Sequence, residues 1–129
     1  MAVPCNAGFT ELAKLGAGEA ANAWTHIALG TGTGQGASST TLATETSASG
    51  MARVAAQAVT TETTTVTDDT IQLTKVFTSG ATVTISEAGA FNAGSGGDML
   101  MVGDLSPVAG TVSGDTLTIT LKCQIKAAA

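Results

Sequence analysis

Tyrosine is missing from these 129 residues, and one tryptophan and three phenylalanines supply all the aromatic bulk. A core without large rings must be assembled from small and β-branched side chains, each of which removes less apolar surface from water. Hydrophobic residues still make up 43% of the chain, so a single core is expected in a sequence of single-domain length. That core should be thin, and part of the stability is expected from a partner or from further copies of the chain.

Charge is equally scarce. Only 12% of residues are charged, against about a quarter in an average soluble domain. The five basic residues, Lys14, Arg53, Lys75, Lys122 and Lys126, are scattered among ten acids, for a net charge of −5. Nucleic acids and anionic membranes both demand clustered cations, so neither is expected as a partner. A threonine-rich, uncharged surface suits burial against other protein.

No apolar run approaches the ~20 residues that cross a bilayer. No charged segment followed by an apolar one opens the chain, so a soluble protein made in a reducing cytoplasm is expected. The two cysteines, Cys5 and Cys123, are expected to be buried, inert thiols rather than a disulfide.

Reactive side chains are also few. His26 is the single histidine, and any Ser-His-Asp or Cys-His arrangement would have to use it. No serine stands in a G-x-S-x-G frame. One histidine and two distant cysteines do not make a metal set. Asp68, Asp69 and Glu62 read as a solvated turn rather than a cation site. The run Gly30-Thr31-Gly32-Thr33-Gly34-Gln35-Gly36 invites a phosphate-loop reading, but a Ser/Thr loop follows it where a helix is required, and the lysine beside Ser or Thr is missing. Neither catalytic residues nor a cofactor or metal is expected.

What is present is alternation. Trp24 to Gly34 organises the chain: a first core strand, Thr25–Leu29, ends in a glycine turn. Ahead of it, Asn6–Ala21 carries Phe9, Leu12, Ala13 and Leu15 at helical spacing, with Asn6 as cap and Gly16 or Gly18 as stop, or else forms an extended arm. Met1–Pro4 have little reason to order alone.

Gly30–Gly50 reads as a long surface loop with a short strand or turn at Leu42–Glu45. Met51–Thr60 fits a helix on propensity, but its flanking threonines favour a strand, continued by Thr61–Val66. Ile71–Phe77 and Thr82–Ser86, joined by Ser79-Gly80, read as a hairpin, with Gly89 marking a bulge or a close approach. Met99–Val102 has the look of a strand buried on both faces, broken by Leu105–Gly110. The last strand is the plainest: Leu117, Ile119, Leu121, Cys123 and Ile125 alternate with polar residues.

The expected fold is therefore mainly β, an antiparallel β-sandwich or small barrel with a short N-terminal helix or arm. Residues 1–22 form that arm and 23–129 the sandwich, one domain overall. Arg53, Glu45 and Glu87 sit among small or apolar neighbours, where a lone charge is costly. Arg53 is expected to pair with one of the two glutamates; the functional reading, two carboxylates for glycoside chemistry, lacks any aromatic platform.

Four segments in order carry a resemblance: the "IALGTG" strand Ile27–Gly32, the T-x-L-x-x-E loop with Leu42 and Glu45, the strand with Arg53, and the I-x-E-x-G-x-F strand Ile85–Phe91, with Met99-Leu100 after the next glycine turn. In this the chain resembles small structural proteins of tailed bacteriophages over about Ala23 to Leu105. The resemblance implies a non-enzymatic virion protein. A capsid decoration (cement) protein on the head surface is the first expectation, bound at capsomer junctions to the major capsid protein, with a homo-oligomer, a trimer by the resemblance, as its expected form. A tail fibre or a tail-tip, receptor-binding component is the alternative. Met1–Gly18 and Gly30–Gly50 are the expected contact segments.

Overall fold

Residues 2–127 are described by the computed structural model. In chain order they form β1 (Ala2–Pro4), α1 (Asn6–Ala17), β2 (His26–Gly30), β3 (Val54–Ala55), β4 (Ala58–Glu62), β5 (Thr70–Thr78), β6 (Val83–Phe91), β7 (Met99–Thr111) and β8 (Thr116–Gln124). Two antiparallel sheets result, β1-β7-β6-β2-β3 and β4-β5-β8. The fold is a β-sandwich.

Strand period sets the layers. On β5 and β8 the pairs Ile71–Cys123, Leu73–Leu121 and Phe77–Leu117 face inward, and the threonines between them face out. Against them the larger sheet presents Ile27, Leu29, Ile85, Ala88, Ala90, Leu100 and Met101. A second, smaller core lies on the other face of that sheet, where Ala28, Phe91, Met99 and Val102 meet Cys5 and Leu42. Met99–Val102 thus feeds both cores and is buried on both faces, as its unbroken apolar run implies.

The hairpin expected from Ile71 to Ser86 does not form, because its two strands belong to different sheets. The chain crosses the sandwich at Ser79-Gly80, where Ser79 N–H donates to Asp115 O and Gly80 N–H to Ser49 O, both at 2.8 Å. Those bonds satisfy the turn from elsewhere, so β5 takes β8 as its partner instead.

Leu105–Gly110 was expected to break the preceding strand, yet β7 continues to Thr111. The β6 ladder skips from Glu87↔Asp104 to Ile85↔Ala109, so Pro107 sits outside the ladder, where its missing N–H costs no pairing.

At the N-terminus, Ala2–Pro4 pair with Met101–Gly103 of β7, so order there comes from a waiting sheet edge. Helix α1 stops at Gly18, whose φ of 73° suits glycine. Its cap, however, is Cys5 and not Asn6. Nor does it bury the expected face: Gly8 and Glu11 are covered, whereas Phe9 is 53% and Leu15 37% exposed. The cause is close approach. A Cβ on Gly8 would lie 2.6 Å from Leu100 O, so the missing side chain, not the apolar ones, decides which side meets β7.

Met51–Thr60 resolves as β3 and β4 rather than helix, and β4 ends at Glu62.

Candidate functional site

The candidate site is the loop between β2 and β3 and the strand that holds it. The β6–β7 register shift between Ile85 and Glu87 turns two consecutive residues, Ser86 and Glu87, to the same face. Ser86 Oγ donates to Gly32 O at 2.6 Å. Glu87 is fully buried. Its Oε1 accepts from Thr44 N–H at 2.8 Å, and its Oε2 from Ala43 N–H at 3.1 Å and Gln35 Nε2 at 2.6 Å. A buried carboxylate is tolerable only when its lone pairs are met, and here the loop backbone meets them.

This geometry explains the glycines. A side chain on Gly30 would collide with the Glu87 carboxylate, and one on Gly32 would overlap Ala43. Gly34, at φ 86°, offers its N–H to Asp104 Oδ2 at 3.1 Å. The glycine run is a seat for the loop, with its amides spent inside the protein: Thr31 N–H on Thr44 O, Gly34 N–H on Asp104 and Gly36 N–H on Ser39 Oγ.

The second half of the clasp is Arg53. Its Nε and Nη2 bond Glu45 Oε2 and Oε1 at 3.1 and 2.7 Å, and its Nη1 donates to Ala93 O and Gly96 O in the β6–β7 turn. The guanidinium lies 3.7 Å from the centre of the Phe91 ring. Of the two glutamates weighed for Arg53, Glu45 is therefore its partner, and Glu87 is occupied by amides. The two carboxylates have separate partners and do not form an acid/base couple. Gly89 supplies the expected close approach: a Cβ there would lie 2.8 Å from Met99 Sδ and 3.2 Å from Leu42 Cδ2.

The other singled-out residues are placed as follows. His26 is half-buried, with Nδ1 and Thr25 Oγ1 hydrogen bonded at 2.8 Å. Trp24 is in the main core, and its indole N–H donates to Asp98 O at 3.1 Å. Asp69 accepts from the amides of Thr64, Thr65 and Val66 and from Gln124 Nε2; these donors hold its carboxyl well below the usual range. Asp68 accepts from Thr61 Oγ1, and Glu62 pairs with Lys122 at 2.9 Å. Among the described residues no three potential ligands cluster as a metal set. Cys5 and Cys123 are buried free thiols, and burial pushes the Cys5 thiol up to about 11.

Sequence reasoning missed Ser86, Gln35 and Asp104. Ser86 had no signal, since a serine one residue past the inward Ile85 reads as an ordinary outward position. Asp104 had one: a carboxylate across the sheet from a glycine-rich turn needs amide donors.

The family model described as "Podophage GP4 fiber I protein gp80" matches residues 12–125, a span that includes the whole clasp and all strands from β2 to β8. No curated protein matches the chain.

Proposed function

Because the chain belongs to the podophage GP4 fiber I protein family, a family of tailed-phage structural proteins, we propose that it is a subunit of a virion fibre with no catalytic role. The family match across residues 12–125 carries this reading. It favours the fibre alternative over the head-surface cement protein expected first.

The geometry supports a mechanical part. A fibre module must keep its shape while it is pulled and while it packs against its neighbours. Here a long loop, otherwise costly to order, is pinned to Glu87 at Gln35, Ala43 and Thr44 and to Arg53 at Glu45, so the surface it presents is fixed. The outer face of β4-β5-β8 carries Thr60, Thr74, Thr118 and Thr120 on successive strands, a polar surface with little charge to desolvate when covered. Copies of the chain are the partners proposed for it. Attachment to the major capsid protein belongs to the cement reading.

Gold-labelled antibody against the native protein, applied to intact virions, tests the proposal. Label on fibres supports it; label spread over the head returns the cement reading.

A further inference from the structure

The sandwich opens on one side into a cleft of about 410 Å³, lined among others by Gly50, Arg53, Val54, Lys75 and Phe77. It exists because β4 is short. β4 begins only at Ala58, opposite Thr74. Ahead of it Gln57 alone bridges to β5, its N–H donating to Thr74 O at 2.9 Å and its Oε1 accepting the Val76 N–H at 2.6 Å.

Lys75 is out of place there. It falls on the inward phase of β5, between Leu73 (0% exposed) and Phe77 (1% exposed), and its register partner is the core residue Ile119. Every other residue on that phase of β5 and β8 is apolar. An ammonium on such a face calls for a counter-charge. Yet no described carboxylate pairs with it: the ion pairs use Lys14, Arg53 and Lys122. The Arg53 guanidinium is committed to Glu45 and two carbonyls, so Lys75 holds the cleft's one uncommitted charge among the described residues. Lys126 is also without an ion pair but lies exposed past the last strand.

We propose that this cleft is a self-association site, in which Lys75 receives a carboxylate from a second copy of the chain. Charge complementarity selects the occupant. Ten acids against five bases leave each copy with acids to spare, Glu19 among them, exposed and outside the described ion pairs. A second copy closing over the cleft removes water from both charges, which strengthens their attraction there. This rests on the fibre reading only in taking like copies as neighbours, and names the surface by which they meet.

The test mixes unlabelled and ¹⁵N-labelled wild-type chains and couples amines to touching carboxylates with a zero-length carbodiimide. Mass spectrometry should find a mixed-isotope peptide pair joined through Lys75. Lys75→Gln should weaken association by roughly tenfold or more in sedimentation while leaving the melting curve in place. Absence of the mixed-isotope Lys75 product, or unchanged association of K75Q, overturns the site. If Lys75 only lays its stem over Phe77, K75Q will associate as wild type does. Virion labelling reports separately: fibres labelled with K75Q unimpaired sinks this site alone, and heads labelled with Lys75 cross-linked sinks the fibre alone.

Discussion

Arg53 lies over the face of Phe91, its guanidinium carbon 3.7 Å from the ring centre, while its Nε and Nη2 hold both oxygens of Glu45. One side chain thereby ties the loop to β6 and, through Ala93 O and Gly96 O, to the following turn. Stacking and a forked carboxylate bond together require a planar cation.

Arg53→Lys is therefore not a conservative change. It should cost about 1–3 kcal/mol, or roughly 4–12 °C in Tm, and Arg53→Ala at least as much. Thermal melts of the two variants check this; a curve equal to wild type for either would show that the clasp does not contribute.

Glu87→Gln keeps the shape but turns an NH₂ group toward donors. With three donors facing one carboxylate, about 2–4 kcal/mol should be lost. Amide exchange at Ala43 and Thr44 should accelerate more than exchange in β8, a contrast that a general loss of stability would not give.

Glycine substitutions separate fit from flexibility. Gly30→Ala should destabilise strongly, because the new methyl meets the Glu87 carboxylate and Thr44 O. Gly16→Ala, in the open on α1, should stabilise by about 0.5–1 kcal/mol. Urea midpoints of the pair decide it.

Much of this was legible because each strand's burial follows a period of two. β8 reads directly from Leu117, Ile119, Leu121 and Cys123, and the doubly buried Met99–Val102 from its lack of any polar interruption. The Arg53–glutamate pair followed from the cost of a lone charge, though which glutamate it takes depends on a bulge that no periodicity announces. The face buried by α1 was misread for a similar reason. Gly8 acts through the atoms it lacks, and hydrophobic spacing cannot register that. The crossing between sheets at Ser79-Gly80 was hidden because the hydrogen bonds that hold it reach Ser49 and Asp115, distant in sequence.

Acid should unfold the molecule partly through Asp69. Its folded-state pKa lies below the unfolded value of about 3.9, so its contribution is present above that value and lost as pH falls through and below it. Asp69→Asn should lower stability at neutral pH and flatten the decline below about pH 4, read from urea midpoints across pH 2–7.

Cys5, with its thiol pushed up to about 11 by burial, should be protonated and slow toward a thiol reagent at pH 7.5, and fast once the chain is denatured. Equal rates in the two states would show that the thiol is not enclosed.

The account turns on where this protein sits in the virion. Cryo-electron microscopy of the phage that carries it, with the sandwich fitted into density, reads that position directly. The prediction is density for the β-sandwich in a fibre projecting from the particle; the same sandwich resolved at capsomer junctions of the head, with none in any fibre, would contradict it.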